Sequence, residues 1–294
     1  MAALFLLFAC LFAVDVATGF GFLFRRTAPV LRGWALIAGS ALSAVALVQG
    51  LRPPVVIDYE VRLAGLPGEL NGTTIVALSD LHLGTLLGEE WLSARVDQVR
   101  KLNPDLVVLL GDAFEGHGQV PEALPPILRR LSAPLGLWAV LGNHESYGHD
   151  GAGKELITAG GFRVLHDTWA EVRPGLVLAG VDNIGGGMRS VRRTGDPFGK
   201  ALAGRPTGAT IMLSHSPPRP EDLEGKGVGL MLCGHTHAGQ IWPFSYFVRP
   251  HYAFFEGAYE DDGLTVIVSR GTGTWGPRMR LWRPAEILRI TLRS

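Results

Sequence analysis

Thr74–His82 reads TIVALSDLH. The run before Ser79 does not alternate in polarity, so as a strand it is buried on both faces, the pattern of a helix-covered sheet. The chain then places an aspartate and a histidine two residues apart. The same grammar recurs four times. Leu106–Leu110 (LVVLL) runs into Gly111-Asp112, and Leu137–Leu141 (LWAVL) runs into Gly142-Asn143-His144-Glu145. Thr210–Leu213 (TIML) is followed by Ser214 and His215, and Val228–Leu232 (VGLML) by Cys233 and Gly234-His235-Thr236-His237. Taken alone, Leu230–Gln240 (LMLCGHTHAGQ) favours a polar turn that tolerates histidine. Its two imidazoles would share a face if extended geometry persisted. Five runs that each deliver Asp, Asn or His at the carboxyl end are hard to explain by packing, because that end is where α/β sheets build their sites.

Between the first two runs, Glu89-Glu90 suit a first helical turn. Leu92, Val96, Val99 and Leu102 follow at helical spacing, and Asn103-Pro104 stops the pattern. A weaker helix, interrupted by Pro125-Pro126, precedes the third run. Strand–helix–strand order predicts parallel pairing with helices outside. Residues 252–257, 264–268 and 286–292 read as strands with few helices between them, a switch towards antiparallel sheet. Residues 53–294 contain no internal repeat or linker and read as one α/β domain, a sandwich of two sheets.

The first 52 residues differ. Ala2 to Phe24 carries one charge, Asp15, and Gly33 to Leu51 carries none. Each run is close to the roughly 20 residues a helix needs to cross a bilayer. Two membrane helices joined by a basic connection (Arg25, Arg26, Arg32) therefore precede the α/β domain in this reading. A cleaved signal is disfavoured by the absence of a basic start, and a twin-arginine signal by the hydrophobic run ahead of it. Asp15 is expensive in lipid and is expected to face the neighbouring helix or an interface. The arginine loop belongs in the cytoplasm by the positive-inside rule, which places 53–294 outside the cytoplasm.

Of the 27 basic and 27 acidic residues, four and one fall in residues 1–52, leaving 23 against 26. Such a balance offers no electrostatic footprint for nucleic acid. No protein partner can be inferred. Cys10 and Cys233 suggest no disulfide framework.

The residue types at the five strand ends specify a chemistry. Carboxylate oxygen, imidazole nitrogen and one amide oxygen suit Mn, Fe, Zn or Mg, and the lack of cysteine disfavours a structural zinc site. Seven side chains give eight ligand contacts if one carboxylate bridges, which suggests two divalent metal ions about 3.5–4 Å apart. Such a pair lowers the pKa of a shared water towards about 7 and clamps phosphate oxygens.

The series Asp80-x-His82, Gly111-Asp112-x-x-Glu115, Gly142-Asn143-His144-Glu145, His215 and Gly234-His235-x-His237 resembles the calcineurin-like metallophosphoesterase superfamily over about residues 73–240. The hydrophobic N-terminus and the tail VSRGTGTWGPRMRL (268–281) resemble its bacterial membrane-associated branch. The resemblance implies αββα layers and hydrolysis of a phosphodiester, phosphomonoester or pyrophosphate bond. It implies that Asp80, His82 and His237 hold one metal, that Asn143, His215 and His235 hold the other, and that Asp112 bridges them. His144 would stay off the metals and serve the leaving oxygen. Glu115 stands where many relatives have an Asp that orients this histidine. Arg270, Arg278 and Arg280, in a Gly-rich tail, are candidates for a phosphate or an anionic lipid. His117, His149, His166 and His251 read as surface or turn residues, with His149 near enough to the GNHE loop to approach substrate. Tethering favours a lipid-linked or envelope substrate. The competing reading is a non-catalytic scaffold of the same fold that binds a protein.

Overall fold

The structure is a computed structural model that describes residues 1–115, 122–146, 152–182, 184–185 and 195–294. In chain order its strands are β1 (Val55–Arg62), β2 (Thr74–Leu78), β3 (Leu106–Leu110), β4 (Leu137–Val140), β5 (Arg163–Val164) and β6 (Thr168–Arg173). They continue as β7 (Leu176–Gly180), β8 (Ala209–Leu213), β9 (Leu230–Cys233), β10 (Gly257–Asp261), β11 (Leu264–Val268) and β12 (Glu286–Arg293). The helices are α1 (Ala2–Ala17), α2 (Ala28–Leu51), α3 (Glu89–Arg100), α4 (Leu124–Leu128), α5 (Ala152–Ala159), α6 (Pro197–Leu202) and α7 (Ser245–Val248).

The strands form two sheets, ordered β1-β12-β2-β3-β4-β5 and β10-β11-β9-β8-β7-β6. β2, β3, β4 and β5 pair in parallel, as do β7, β8, β9 and β11. Alternate residues of each central strand go to opposite sides. Ile75, Leu106, Val108, Leu110, Ile211, Leu213, Leu230 and Leu232 meet between the sheets. Val76, Leu78, Val107 and Leu109 face α3 and α4 with Leu92, Val96, Val99 and Leu124. Both sets are buried, which is why the runs are continuous rather than alternating. At about 1.5–3 kcal/mol per buried large aliphatic side chain, the first set is the main force holding the two sheets together and the second holds the helices to their sheet. Because β2, β3, β4, β8 and β9 are parallel within their sheets, their carboxyl ends emerge along one edge of the sandwich.

Five strands differ from the sequence reading: β1 and the two-residue β5 are additional edge strands of the first sheet. The polar, half-exposed β6 and the buried β7 form a hairpin at one edge, ahead of β8. The strand expected at 252–257 lies instead at Gly257–Asp261. Residues before it are spent on the histidine loop: the Thr236 hydroxyl donates to the Phe255 carbonyl at 2.7 Å, and the Tyr252 ring stands edge-on to His235. The expected antiparallel switch occurs at β10–β11 and β12–β2, while β12 also pairs in parallel with β1.

The N-terminal segment is a helical hairpin. α2 is long and apolar enough to cross a membrane. α1 is not the expected single span to Phe24: it ends at Ala17 and enters a turn in which Gly19 and Gly21 adopt positive φ. Its 16 residues are about 24 Å long. Gly39 lets the helices approach closely, since a side chain there would meet the Leu7 backbone at 3.0 Å. Asp15 does face its neighbour, where Arg32 Nε donates to it at 2.8 Å. The free end of the hairpin meets the α/β domain: Ala2, Leu6 and Ala46 pack on Ile241, Met279 and Leu281.

Candidate metal centre

After β2, β3 and β9 the chain enters left-handed backbone that aims polar side chains inward. Asp80, His82, Asp112, His235 and His237 all have positive φ, between 46° and 73°. Left-handed backbone at a non-glycine residue costs about 1–3 kcal/mol and persists where surrounding contacts over-determine it. Those contacts are visible. The Asp80 and His82 amides donate to the Gly111 and Asp112 carbonyls at 3.0 Å, so the first two loops continue the β2–β3 pairing. Gly142 lies so close to Asp112 that a side chain there would overlap the carboxylate. Gly111 is likewise closed in, with Gly142 nitrogen and His215 Nδ1 at 2.6 and 2.7 Å from the place a Cβ would take.

Three groups of ligating atoms result: Asp80 with His82 and His237, Asp112 with His215 and His235, and His82 with Asp112 and His144. Within the second group, His215 Nδ1 lies 2.8 Å from the Leu110 carbonyl, which sets the Nδ1–H tautomer and leaves Nε2 facing inward. That Nε2 is 3.0 Å from Asn143 Oδ1, 3.0 Å from His235 Nδ1 and 3.2 Å from Asp112 Oδ2. Four lone-pair atoms converging this tightly fit a divalent cation of the oxygen- and nitrogen-binding kind. The same convergence acts on protons. Burial opposes charge on His215, but Asp112 and Asp80 prevail and push its pKa to about 10. His235 falls to about 4, because the protein around its half-buried ring and the neighbouring His215 both disfavour its charge.

In the first group, His237 Nε2 lies 3.1 Å from His82 Nε2 and 3.3 Å from Asp80 Oδ1. Asp112 joins the two groups: its Oδ2 is 3.2 Å from His215 Nε2 and 3.9 Å from both His82 Nε2 and His144 Nε2. Burial raises the cost of ionising Asp80 and Asp112, yet the surrounding imidazoles hold both carboxyls well below the usual range. Asp80 also ties the sheets together, since the His235 amide donates to it at 3.1 Å.

A family model for calcineurin-like phosphoesterases matches residues 73–239, which span the five loops. The chain belongs to that family. It is 35% identical over 271 residues to the transmembrane protein with metallophosphoesterase domain of Danio rerio, covering 88% of this chain and 62% of that one. The Bos taurus protein of the same name is 34% identical over 283 residues, with the same two coverages. A metallophosphoesterase of Aquifex aeolicus is 34% identical over 244 residues, covering 80% of this chain and 90% of its own. The chain thus spans about 62% of the length of the two vertebrate relatives. The family uses divalent metals, and the groups described above could hold two of them.

The phosphoesterase fold also corrects several residue expectations. Glu115 does not orient His144 through its carboxylate. Its main-chain carbonyl does, 2.7 Å from His144 Nδ1, while the carboxylate lies 3.2 Å from His82 Nδ1. Arg280 is fully buried and unavailable to substrate. Its Nη2 donates to the carbonyls of Gly273 (2.6 Å) and Arg270 (2.8 Å) and sits 3.4 Å from His237 Nδ1, so it braces the loop behind that imidazole. Arg270 is committed to buried Glu286, with Nε donating at 2.6 Å. Arg278 lies at the end of α2, where a side chain on Gly50 would meet its carbonyl at 2.5 Å. His166 pairs with Asp182 at 2.5 Å, and His251 is exposed. His117 and His149 lie outside the described residues.

Glu145 is the residue that sequence reasoning missed. Its buried carboxylate accepts from the amides of Gly142 (2.7 Å), Asp112 (2.9 Å), Ala113 (2.7 Å) and Phe114 (3.3 Å), stapling the second loop to the third. Burial and the Asp112 charge raise its pKa. The signal was an acid directly beside a candidate proton donor, in a motif whose other two polar members already had roles.

Proposed function

We propose that the chain is a membrane-anchored, binuclear-metal phosphoesterase. The observation that carries this is Asp112 Oδ2, which stands between the Asp80–His82–His237 and Asp112–His215–His235 groups. In this reading Asp80, His82 and His237 hold one ion, Asn143, His215 and His235 hold the other, and Asp112 bridges. Two divalent ions held there supply Lewis acidity towards phosphate oxygens and an activated water. The protein's part is to fix those ligands and to manage one proton. His144, held as the Nδ1–H tautomer by the Glu115 carbonyl, directs Nε2 into the centre, where it serves the leaving oxygen. Burial lowers its pKa, and in the neutral ring Nε2 carries only a lone pair, so the imidazole supports the departing oxygen once it has taken up a proton there, which the charge of a bound phosphoester favours.

The anchor is the α1–α2 hairpin, with 53–294 as the catalytic domain on the extracytoplasmic side and the 18–27 turn in the cytoplasm. Its outer surface supports the membrane reading: 18 of the 25 exposed large apolar residues described fall in the first 51 positions. The others include Trp242, Tyr246, Phe247, Trp275 and Trp282, on the two segments that pack against the hairpin and reach back to His237. An aromatic fringe beside the centre suits a phosphoester on a lipid-linked or envelope substrate. The test is turnover of a lipid-linked pyrophosphate and a phospholipid by full-length, manganese-loaded protein in detergent, beside an aryl phosphodiester. Hydrolysis of any phosphoester, abolished in Asp112→Ala, is expected. No hydrolysis by fully metal-loaded protein contradicts the enzyme reading.

A further inference from the structure

Two arginines at the hairpin–domain junction have no hydrogen-bond partner for Nε among the described residues. Arg95 lies on α3 and is only 9% exposed, although Leu92, Val96 and Val99 occupy the core-facing side of that helix. Arg278 is half-buried. The Nε atoms of both are buried without a hydrogen-bond partner, and neither guanidinium has a carboxylate among the described residues. The contact described for Arg95 is the Trp91 ring, 5.5 Å from its Cζ.

Their position is defined from two sides. One turn along α3 from Arg95, the Gln98 amide donates to the Pro54 carbonyl at 2.8 Å, just beyond the end of α2. Arg278 abuts α2 four residues earlier, at Gly50. The neighbouring Arg280 amide donates to the Ala46 carbonyl at 2.9 Å. After burial, the charge of Arg278 is the next cause lowering the pKa of Arg95, so the two cations share one electrostatic environment. Two like charges, one buried and one half-buried, without a counter-ion among the described residues are costly and are retained where an anion answers them. Guanidinium forks match phosphate oxygens in geometry and charge. The end of a 24-residue apolar helix lies at headgroup depth, and the exposed Trp275 and Trp282 flank Arg278 in sequence at that level.

We propose that Arg95 and Arg278 together bind the phosphate of an anionic phospholipid headgroup where α2 leaves the bilayer. This site is separate from the metal centre; it rests on the membrane part of the functional reading, not on the hydrolytic part. Seating a headgroup there would fix the height of the α/β domain above the membrane and the angle at which the aromatic fringe meets it.

The experiment uses full-length protein stripped of lipid in detergent, with phosphatidylglycerol, phosphatidylcholine and inorganic phosphate titrated separately and bound adducts counted by native mass spectrometry. Expected is phosphatidylglycerol binding that weakens at least 10-fold in Arg95→Gln/Arg278→Gln and is unaffected by Arg100→Gln on the same helix. Should the double variant not fold, Arg95→Lys/Arg278→Lys keeps the charge but loses the fork, and binding at least threefold weaker is expected. Phosphatidylglycerol affinity indifferent to either pair overturns the site. Inorganic phosphate binding as tightly as the lipid, and lost in the same variants, overturns the lipid assignment in favour of a free anion. Flotation on phosphatidylcholine vesicles reads the anchor independently. Wild type that does not float defeats the membrane reading and this proposal with it. Wild type that floats, with lipid binding insensitive to the arginines, defeats this proposal alone.

Discussion

The two sheets bring different chemistry to the same edge. The first supplies both carboxylates, the amide and two imidazoles, on the loops after β2, β3 and β4. The second supplies three imidazoles, on the loops after β8 and β9. Asp80–His82–His237 and Asp112–His215–His235 each straddle the sheets, whereas His82–Asp112–His144 comes from the first sheet alone. A cation in a straddling group is therefore also a cross-link between the sheets, and metal binding and sheet packing are one equilibrium. The His144 group lacks that property, and in the proposed reading this separates a residue that handles a proton from residues that hold an ion.

The largest effect expected from this contrast is at the shared carboxylate. Asp112→Ala should drop metal content from two ions per chain to one or none and lower kcat on an aryl phosphodiester by about 10³-fold or more, about 4 kcal/mol of barrier. Plasma emission spectrometry and steady-state kinetics check both. His144→Asn should behave differently, keeping two ions while kcat falls by about 10²–10⁴-fold, the usual range for a proton-transfer group. Loss of an ion in His144→Asn would place that imidazole among the ligands and break the contrast.

Because the straddling ions join the sheets, chelation should destabilise the domain. An ion present at a thousand times its Kd adds about 4 kcal/mol. At about 2–4 °C per kcal/mol for a domain of this size, EDTA should lower Tm by about 8–16 °C. Glu145→Gln tests the staple within the first sheet: an amide cannot accept all four main-chain N–H groups, so a loss of about 1–3 kcal/mol is expected in urea unfolding. The smallest effect is protonic. His215, with its pKa pushed to about 10, is protonated at pH 7 and must shed that proton to bind an ion, whereas His235, at about 4, is already neutral. Ion uptake at pH 7 should release at least one proton per chain, that of His215, and affinity should climb with pH until near 10. Calorimetry in buffers of different ionisation enthalpy measures this. No proton release would mean that the second sheet presents His215 neutral.

Much of this arrangement was legible in the residues. β2, β3, β4, β8 and β9 are buried on both faces, so their runs are long, apolar and bounded by glycine, and the polar residue after each run stands out. Asp80, His82, Asp112, Asn143, His215, His235 and His237 are separated by up to 157 positions yet meet, because parallel strands align their carboxyl ends. What was not legible depends on the third dimension. β6 sits at an edge and mixes exposed with half-buried positions, so it lacks the apolar signature. The resemblance assigned His235 and His237 to different ions, but their i, i+2 spacing alone would share a face in extended chain; left-handed backbone at both is what sends them to different groups. Glu145 gave no sign that its partners would be four main-chain amides. Nor did three arginines in one Gly-rich tail reveal that Arg280 is entombed, Arg270 is paired with Glu286, and Arg278 shares its electrostatic surroundings with an arginine 183 residues away.

The most direct test of the two-sheet centre is anomalous diffraction at the manganese edge from crystals of wild type, His235→Ala and His237→Ala. The account predicts two peaks in wild type, one on each side of Asp112. His237→Ala should keep the peak beside Asn143 and His215, and His235→Ala the peak beside Asp80 and His82. A single peak in wild type, or the same peak lost in both variants, would contradict it.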